Sequence, residues 1–483
     1  MGVLTELEPK NVFRFFEEIA GIPHGSGNVG QISDYLADFA AQRGLFCIQD
    51  ELKNIIIVKE ATPGYEEEPV VILQGHMDMV AVSKPECGID MKKEGLRLAV
   101  RGDEIYAEGT SLGGDDGIAV AYALALLDSD TVSHPRLEVI ITVDEEVGMD
   151  GARGIDLSML KGSRMVNLDS EEEGIFLTSC AGGARVKCHM PLAFAQREGI
   201  AVEISLGGLQ GGHSGGEIHK ERGNANCLLG RFLYRLTEKT AVGIAQLAGG
   251  LADNAIPREA RAVLVVDAQD ASRVLELAGE MEAQIRGELS AKDPGVFLKA
   301  EAGARGSYLC VTAQDTARAA AFLCALPNGV QATSADMPGL VETSLNLGIL
   351  KCEKEELTAE FAVRSSVESA KYALIDKVCA VAGLAGCTPV VSGDYPGWKY
   401  RKDSPLREKM VSLYREMYGT EPKVEAIHAG LECGILGSKI RDLDCVSMGP
   451  NMHGIHTTEE TLSVSSVRRV WEYLVKLLEK KSV

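Results

Sequence analysis

No two cysteines in this chain are spaced Cys-x-x-Cys, and the twelve present are scattered singly, as at Cys47, Cys87, Cys180 and Cys188. Scatter of this kind argues against a disulfide framework and for reduced, mostly buried thiols. Also missing is any apolar run long enough to span a bilayer. Basic residues are outnumbered, 49 Lys and Arg against 70 Asp and Glu, for a formal charge of -21. That balance disfavours nucleic acid and anionic membrane as partners and favours solubility. The opening residues, Met1-Gly2-Val3-Leu4-Thr5-Glu6-Leu7-Glu8, are acidic and lack the apolar core of a secretory signal. Glu6 stands where a myristoylation motif at Gly2 requires Ser or Thr. A cytoplasmic location is therefore expected. Internal repeats and low-complexity tracts are absent as well.

What the chain does have is length, burial capacity and hard-metal ligands. Its 483 residues exceed one comfortable core, and 45% hydrophobic content is ample to fill two. Five short segments each supply one or two metal-binding side chains: Gly75-His76-Met77-Asp78, Gly114-Asp115-Asp116-Gly117, Asp144-Glu145-Glu146-Val147-Gly148, Asn167-Leu168-Asp169-Ser170 and His453-Gly454-Ile455-His456. The first four read as the ends of apolar β runs, and the fifth follows a short strand ending in Gly449-Pro450. Imidazole and carboxylate are what Zn²⁺ or Mn²⁺ accept. Five ligands, one of them a bridging carboxylate, suffice for two ions.

The pattern predicts two helices within residues 8–44, the first opened by Pro9 and running through Phe13, Phe16 and Ile19. Strands are expected over 54–58, 70–76, 137–143 and 164–168, with a helix over 115–127 that Asp115 begins and could cap. Alternating strands and helices mean an α/β sheet with helices on both faces, and its ligands gather beyond the carboxyl ends of the strands. After about residue 185 the pattern shifts to half-buried strands (201–206, 260–266, 357–364) and long helical stretches (269–290, 313–325). We read this as an inserted α+β module. If His456 joins the other ligands, the metal-binding domain is discontinuous: 1–186 and 392–483 form the catalytic domain, and 187–391 form an inserted lid and dimerisation domain.

Almost end to end, the chain resembles the aminoacyl-histidine dipeptidases, or cytosol nonspecific dipeptidases. These belong to the di-zinc metallopeptidase superfamily that includes carboxypeptidase G2-like enzymes. The resemblance rests on Gln74 to Val80, Leu112 to Ile118, Asp144 to Ala152 and Asn167 to Gly174. More specific to this branch are Gly211-Gly212-His213-Ser214-Gly215-Gly216-Glu217-Ile218-His219, Asn254-Ala255-Ile256-Pro257-Arg258-Glu259, Pro327-Asn328-Gly329-Val330 and His428-Ala429-Gly430-Leu431-Glu432-Cys433-Gly434. It implies a mixed sheet flanked by helices, two Zn²⁺ per subunit with Mn²⁺ or Co²⁺ able to substitute, and a homodimer. His76 and Asp169 would hold one ion, Glu146 and His456 the other, with Asp115 bridging. Asp78 would accept a hydrogen bond from the second imidazole nitrogen of His76. Glu145 would be the general base. His213 would stabilise the tetrahedral intermediate, often in relatives from the partner subunit. Arg364 would clamp the substrate carboxylate, with Asn254 lining the same pocket and His428 a candidate there, open between a pocket and a structural role.

The implied activity is hydrolysis of unblocked dipeptides, Xaa-His included. Rival readings keep the mechanism and change the substrate, to an N-acyl amino acid or a tripeptide, or posit a metal-binding relative that has lost activity. Gly212-His213-Ser214-Gly215-Gly216 also matches the Gly-x-Ser-x-Gly elbow of serine hydrolases, although a loop over 207–211 separates it from the preceding strand. Asp116 is read as a capping or hydrogen-bonding residue, and His456 is preferred over His453 as the ligand. His219 and Glu432 are left open between pocket and structural roles. His24, His134 and His189 are taken as surface or packing residues, and Glu171-Glu172-Glu173 as a solvated face.

Overall fold

The computed structural model describes residues 2–353 and 355–481. They form two compact units. The first comprises residues up to Ser179, Tyr400–Ala426 and those from Leu431 on; the second comprises Cys180–Lys399 and Ile427–Gly430.

In the first unit the apolar runs become strands of one eight-stranded sheet. Its order is Phe46–Gln49, Ile55–Lys59, Leu137–Thr142, Val71–His76, Arg164–Asn167, Asp444–Ser447, Ile175–Cys180 and Lys423–Ile427. Leu137–Thr142, Val71–His76, Arg164–Asn167 and Asp444–Ser447 run parallel, while Phe46–Gln49 with Ile55–Lys59, Ile55–Lys59 with Leu137–Thr142, and Asp444–Ser447 with Ile175–Cys180 pair antiparallel. Parallel strands are covered on both faces, which is why Val71-Ile72-Leu73 and Val139-Ile140-Ile141 are continuous apolar runs rather than alternating. Ile72, Leu73, Leu137 and Val166 are all fully buried. The covering layer includes Lys10–Ala20, which buries Val12, Phe13, Phe15, Phe16 and Ile19 on one face, and Val464–Glu479. Gly114–Asp128 is apolar all round and buried along nearly its whole length. Because the central strands point the same way, His76, Thr142, Asn167 and Ser447 all end at one edge of the sheet.

One expectation is corrected here. The Gly114-Asp115-Asp116-Gly117 segment does not end a strand. The nearest strand before it stops at Ala107, and the segment opens the helix expected over 115–127, which runs Gly114–Asp128. Nor does Asp115 cap that helix. Asp115 (ψ 105°) and Asp116 (φ -120°) are themselves non-helical, and the cap position is Gly113 at φ 65°.

The second unit contains a nine-stranded sheet in which every neighbouring pair of strands among the described residues is antiparallel. Val341–Glu353 and Glu356–Ser365 lie at its centre, and Phe297–Val311 and Thr388–Tyr395 form its edges. The helices Ala225–Thr237, Ala271–Glu288, Ala313–Ala325 and Glu368–Leu384 contribute Leu229, Phe232, Val274, Met281, Phe322 and Val378 to a core shared with the sheet. Among the described residues, no helix is long and apolar enough to cross a membrane.

Candidate active site

One edge of the first unit brings together His76, Asp115, Asp116, Glu145, Glu146, Asp169 and His456. His76 is buried at the last position of its strand, with Nδ1 2.9 Å from the backbone oxygen of Asp78. A carbonyl can only accept, so Nδ1 carries the proton and Nε2 is left as a lone-pair donor. That Nε2 lies 3.2 Å from Asp115 Oδ1 and 3.7 Å from Asp169 Oδ1. On the other side, His456 Nε2 lies 3.2 Å from Asp115 Oδ2 and 2.7 Å from Glu146 Oε1. The last approach lacks hydrogen-bond geometry, so Glu146 Oε1 is buried without a hydrogen-bond partner among the described residues. The hydrogen bond to Asp115 and the Glu146 carboxylate beside it push the His456 imidazole up to about 10. Burial raises the Asp169 carboxyl to about 6, against the pull of His76. Converging oxygens and imidazole nitrogens, some lacking partners of their own, suit hard or borderline divalent cations.

Asp116 also lies with His76 and Asp169, but it is bonded differently from Asp115. Its Oδ2 accepts the His76 backbone N–H at 3.2 Å, and a Cβ at position 75 would fall 2.5 Å from that oxygen. Glycine at 75 lets the strand pass over the carboxylate.

Asp78 is placed differently from expectation. Its backbone carbonyl takes the His76 Nδ1–H, while its carboxylate stands 3.5 Å from that nitrogen. The carboxylate instead accepts Ser26 Oγ–H at 2.8 Å and the backbone N–H groups of Glu145 and Glu146 at 3.1 and 3.4 Å. Ser26 belongs to a strap the sequence did not reveal: Met79 N donates to His24 O, Ser26 N to Met79 O, and Gly27 N to Asp144 Oδ1 at 2.6 Å. Burial pushes the Glu145 carboxyl well above its ordinary value, and Asp169, Glu432 and Glu146 add to the effect. That is the direction a proton acceptor near neutral pH requires.

Two buried glutamates support this edge. Glu432 Oε2 accepts from Gln74 Nε2 and Thr142 Oγ1, each at 2.5 Å, and Gln74 Oε1 accepts from Asn167 Nδ2 at 2.6 Å. Each of these three partners sits at or just before the end of a site-bearing strand, so the network sets the strands' relative heights. Burial raises the Glu432 carboxyl to about 8. Glu460 accepts the backbone N–H groups of Leu112, Gly113, Gly114 and Asp115 at 2.8, 3.1, 2.8 and 3.4 Å. It is Glu460 that satisfies the turn presenting Asp115. In the Glu171-Glu172-Glu173 run, Glu173 is not a solvated face but a two-bond partner of Arg469 at 2.6 Å. Glu171 is raised to about 7 by burial and by Asp115 and Asp169.

The remaining candidates lie in the second unit. Arg364 pairs across the sheet with Ser344 and donates from Nη1 to Tyr395 Oη at 3.0 Å. His428 Nε2 meets Ser344 Oγ at 2.7 Å, and burial with the neighbouring Arg364 charge drops its imidazole to about 3. Arg364 Nε, His428 Nδ1 and Ser214 Oγ are buried without partners among the described residues. His213 Nδ1 accepts the backbone N–H groups of Gly215 and Gly216 at 3.3 and 2.9 Å. The imidazole is thereby fixed with its proton on Nε2, ready to donate. With that ring nitrogen taken and Ser214 Oγ unpartnered, nothing in this segment resembles an activated serine. Asn254 is exposed, and its backbone oxygen accepts Ser214 N at 2.8 Å. His134 and His189 are held by Pro135 O and Glu356, away from these groups.

The sequence matches the model of peptidase family M20/M25/M40 over residues 72–480. It is 35% identical over 486 residues to the cytosol non-specific dipeptidase of Escherichia coli (strain K12), covering 99% of both chains. The fold superposes on the aminoacylhistidine dipeptidase from Vibrio alginolyticus with a TM-score of 0.93 and 34% identity, again over 99% of each chain. A tripeptidase from Staphylococcus aureus shares the fold at a TM-score of 0.56 and 16% identity, over 98% of each chain.

Proposed function

The chain belongs to peptidase family M20/M25/M40, and from that premise we propose that it hydrolyses the peptide bond of unblocked dipeptides, Xaa-His dipeptides among them, in a metal-dependent reaction. The observation that carries this reading is Asp115, whose two oxygens each stand 3.2 Å from a different histidine nitrogen. One carboxylate facing two imidazoles fits a bridge between two cations. His76 and Asp169 would hold one, and Glu146 and His456 the other. Zinc is the ion proposed, with Mn²⁺ or Co²⁺ able to replace it. When bound, such ions polarise a carbonyl and make a water acidic near neutral pH.

This chain's own groups do the rest. Glu145 takes the proton of the attacking water and returns it to the leaving amine. Asp78 holds the Glu145 backbone, so the base is aimed by a carboxylate it never touches through its side chain. His213, protonated on Nε2, donates to the oxyanion as the carbonyl becomes tetrahedral. Arg364 reads the free carboxylate of the substrate, with His428 and Asn254 beside it. A half-buried guanidinium whose Nε lacks a protein partner favours substrates that carry that carboxylate. We also propose a homodimer, assembled through the inserted unit and working in the cytoplasm.

The test is hydrolysis of a panel of free dipeptides containing Xaa-His members, by chelator-stripped protein before and after zinc is restored. Activity that disappears and returns with the metal supports the assignment. Cleavage confined to N-acyl amino acids or tripeptides would move the substrate and leave the mechanism.

A further inference from the structure

His213 stands on a two-residue strand, Gly212–His213, paired with Ala255–Ile256. Ser214 N extends the pairing to Asn254 O at 2.8 Å. The place of the imidazole is therefore set by the backbone of residues 253–256, and what fixes that backbone is a buried side-chain amide. Asn346, on the Val341–Glu353 strand and fully buried, donates from Nδ2 to Asp253 O at 3.1 Å and Ala255 O at 2.9 Å. The two bonds bracket Asn254. Asn346 Oδ1 accepts from Asn224 Nδ2 at 3.0 Å. Asn224 Oδ1 in turn caps the Ala225–Thr237 helix by accepting from Asn226 N and Cys227 N.

Both N–H donors of the Asn346 amide and one acceptor position of its oxygen are thus used. A buried amide held by three such bonds resists displacement, because any shift leaves buried polar groups unsatisfied. The contact is also close: a Cβ at Gly348 would lie 2.6 Å from Asp253 Cα, so the loop rests directly on this strand. Two residues before Asn346 on the same face, Ser344 holds His428 Nε2 and sits opposite Arg364. One strand therefore carries supports for both the His213 segment and the Arg364–His428 pair.

We propose that Asn346 is a positioning residue for His213, holding the 253–255 backbone at the height that delivers the imidazole Nε2–H to the developing oxyanion. The inference rests on reading His213 as the oxyanion donor. It differs from a general role in folding because its cost should fall on kcat and should vanish once His213 is gone.

The experiment uses the full chain, reconstituted with zinc, on an Xaa-His dipeptide. Asn346→Asp keeps the shape and the acceptor toward Asn224 but removes both donors toward the carbonyls. Expected is a kcat lower by about ten- to a hundredfold with KM changed less than about twofold, and cooperative melting retained. In a His213→Ala background, adding Asn346→Asp should lower kcat no further. Losses that multiply in the double variant overturn the proposal, as does a raised KM with kcat intact. A slow His213→Ala enzyme beside an Asn346→Asp enzyme of normal kcat overturns this inference alone. A His213→Ala enzyme of normal kcat overturns the oxyanion reading and this inference together. Should Asn346→Asp not melt cooperatively, Asn346→Ser, which keeps one donor, carries the same comparison, with a normal kcat counting against the proposal.

Discussion

The carboxylate of Asp78 accepts the backbone N–H of Glu145 at 3.1 Å, tying the turn after one site strand to the base that follows the next. Ser26 fixes the same carboxylate from a third direction at 2.8 Å. Removing the negative charge while keeping the shape should loosen Glu145 without emptying the site. Asp78→Asn is expected to lower kcat by roughly 10–100-fold, the range for a group that orients rather than reacts. Ser26→Ala removes one of three bonds and should cost less. Steady-state kinetics on zinc-loaded enzyme checks both; equal losses in the two variants would show that Ser26, not the backbone contact, holds Asp78.

Glu145 itself should separate chemistry from metal binding. Glu145→Gln is expected to reduce turnover by about 10²–10⁴-fold, the usual worth of a positioned acid–base group. The protein should still retain both zinc ions in elemental analysis after gel filtration. His76→Ala should lose metal and activity together. Turnover surviving in Glu145→Gln would remove it from the role of base.

Glu460 gives a prediction about assembly of the site. Its carboxylate accepts N–H bonds from four successive residues, Leu112 to Asp115, in a turn where Gly113 is left-handed. Glu460→Gln turns a donor group toward those N–H groups and leaves at least one unsatisfied, a cost of about 1–3 kcal/mol. Thermal melting should move down accordingly. Zinc affinity, measured by competition with a chromophoric chelator, should weaken about 10–100-fold as Asp115 loses its fixed turn. A lower melting temperature with unchanged zinc affinity would confine Glu460 to stability.

Much of this arrangement was legible because it is local. Val71-Ile72-Leu73 and Leu137 to Ile141 read as buried strands since a parallel strand is covered on both faces. His76 and Asp169 stood out because each follows such a run within a few residues. What escaped was of two kinds. The segment at Asp115 reads both as a strand end and as the start of a helix over 115–127; only the helix is there, as Gly114–Asp128, because Gly113-Gly114 breaks the extended pattern before it. Glu460, Ser26 and Asn346 act over long separations: Glu460 meets Leu112 across 348 positions, and Asn346 reaches Asp253 across 93. Such a bond leaves no trace in spacing or composition. Asp78 was identified but its bonding was not, because whether a carbonyl or a carboxylate takes an imidazole proton depends on backbone geometry.

His428 makes the stability of the second unit depend on pH. Burial and the Arg364 charge hold its imidazole at about 3 in the folded chain, against an ordinary 6.5. Between those values the unfolded chain binds a proton that the folded chain refuses, so the unfolded state gains as pH falls. The contribution of a neutral His428 is complete above about 6.5 and is lost progressively as pH drops toward 3, at up to about 1.4 kcal/mol per pH unit. His428→Asn keeps a polar group for Ser344 and cannot be protonated. Melting temperatures recorded from pH 7 to pH 4 should fall more steeply for the native chain than for this variant, with the two curves converging at neutral pH apart from a constant offset. Parallel curves across that range would assign the acid sensitivity to other groups.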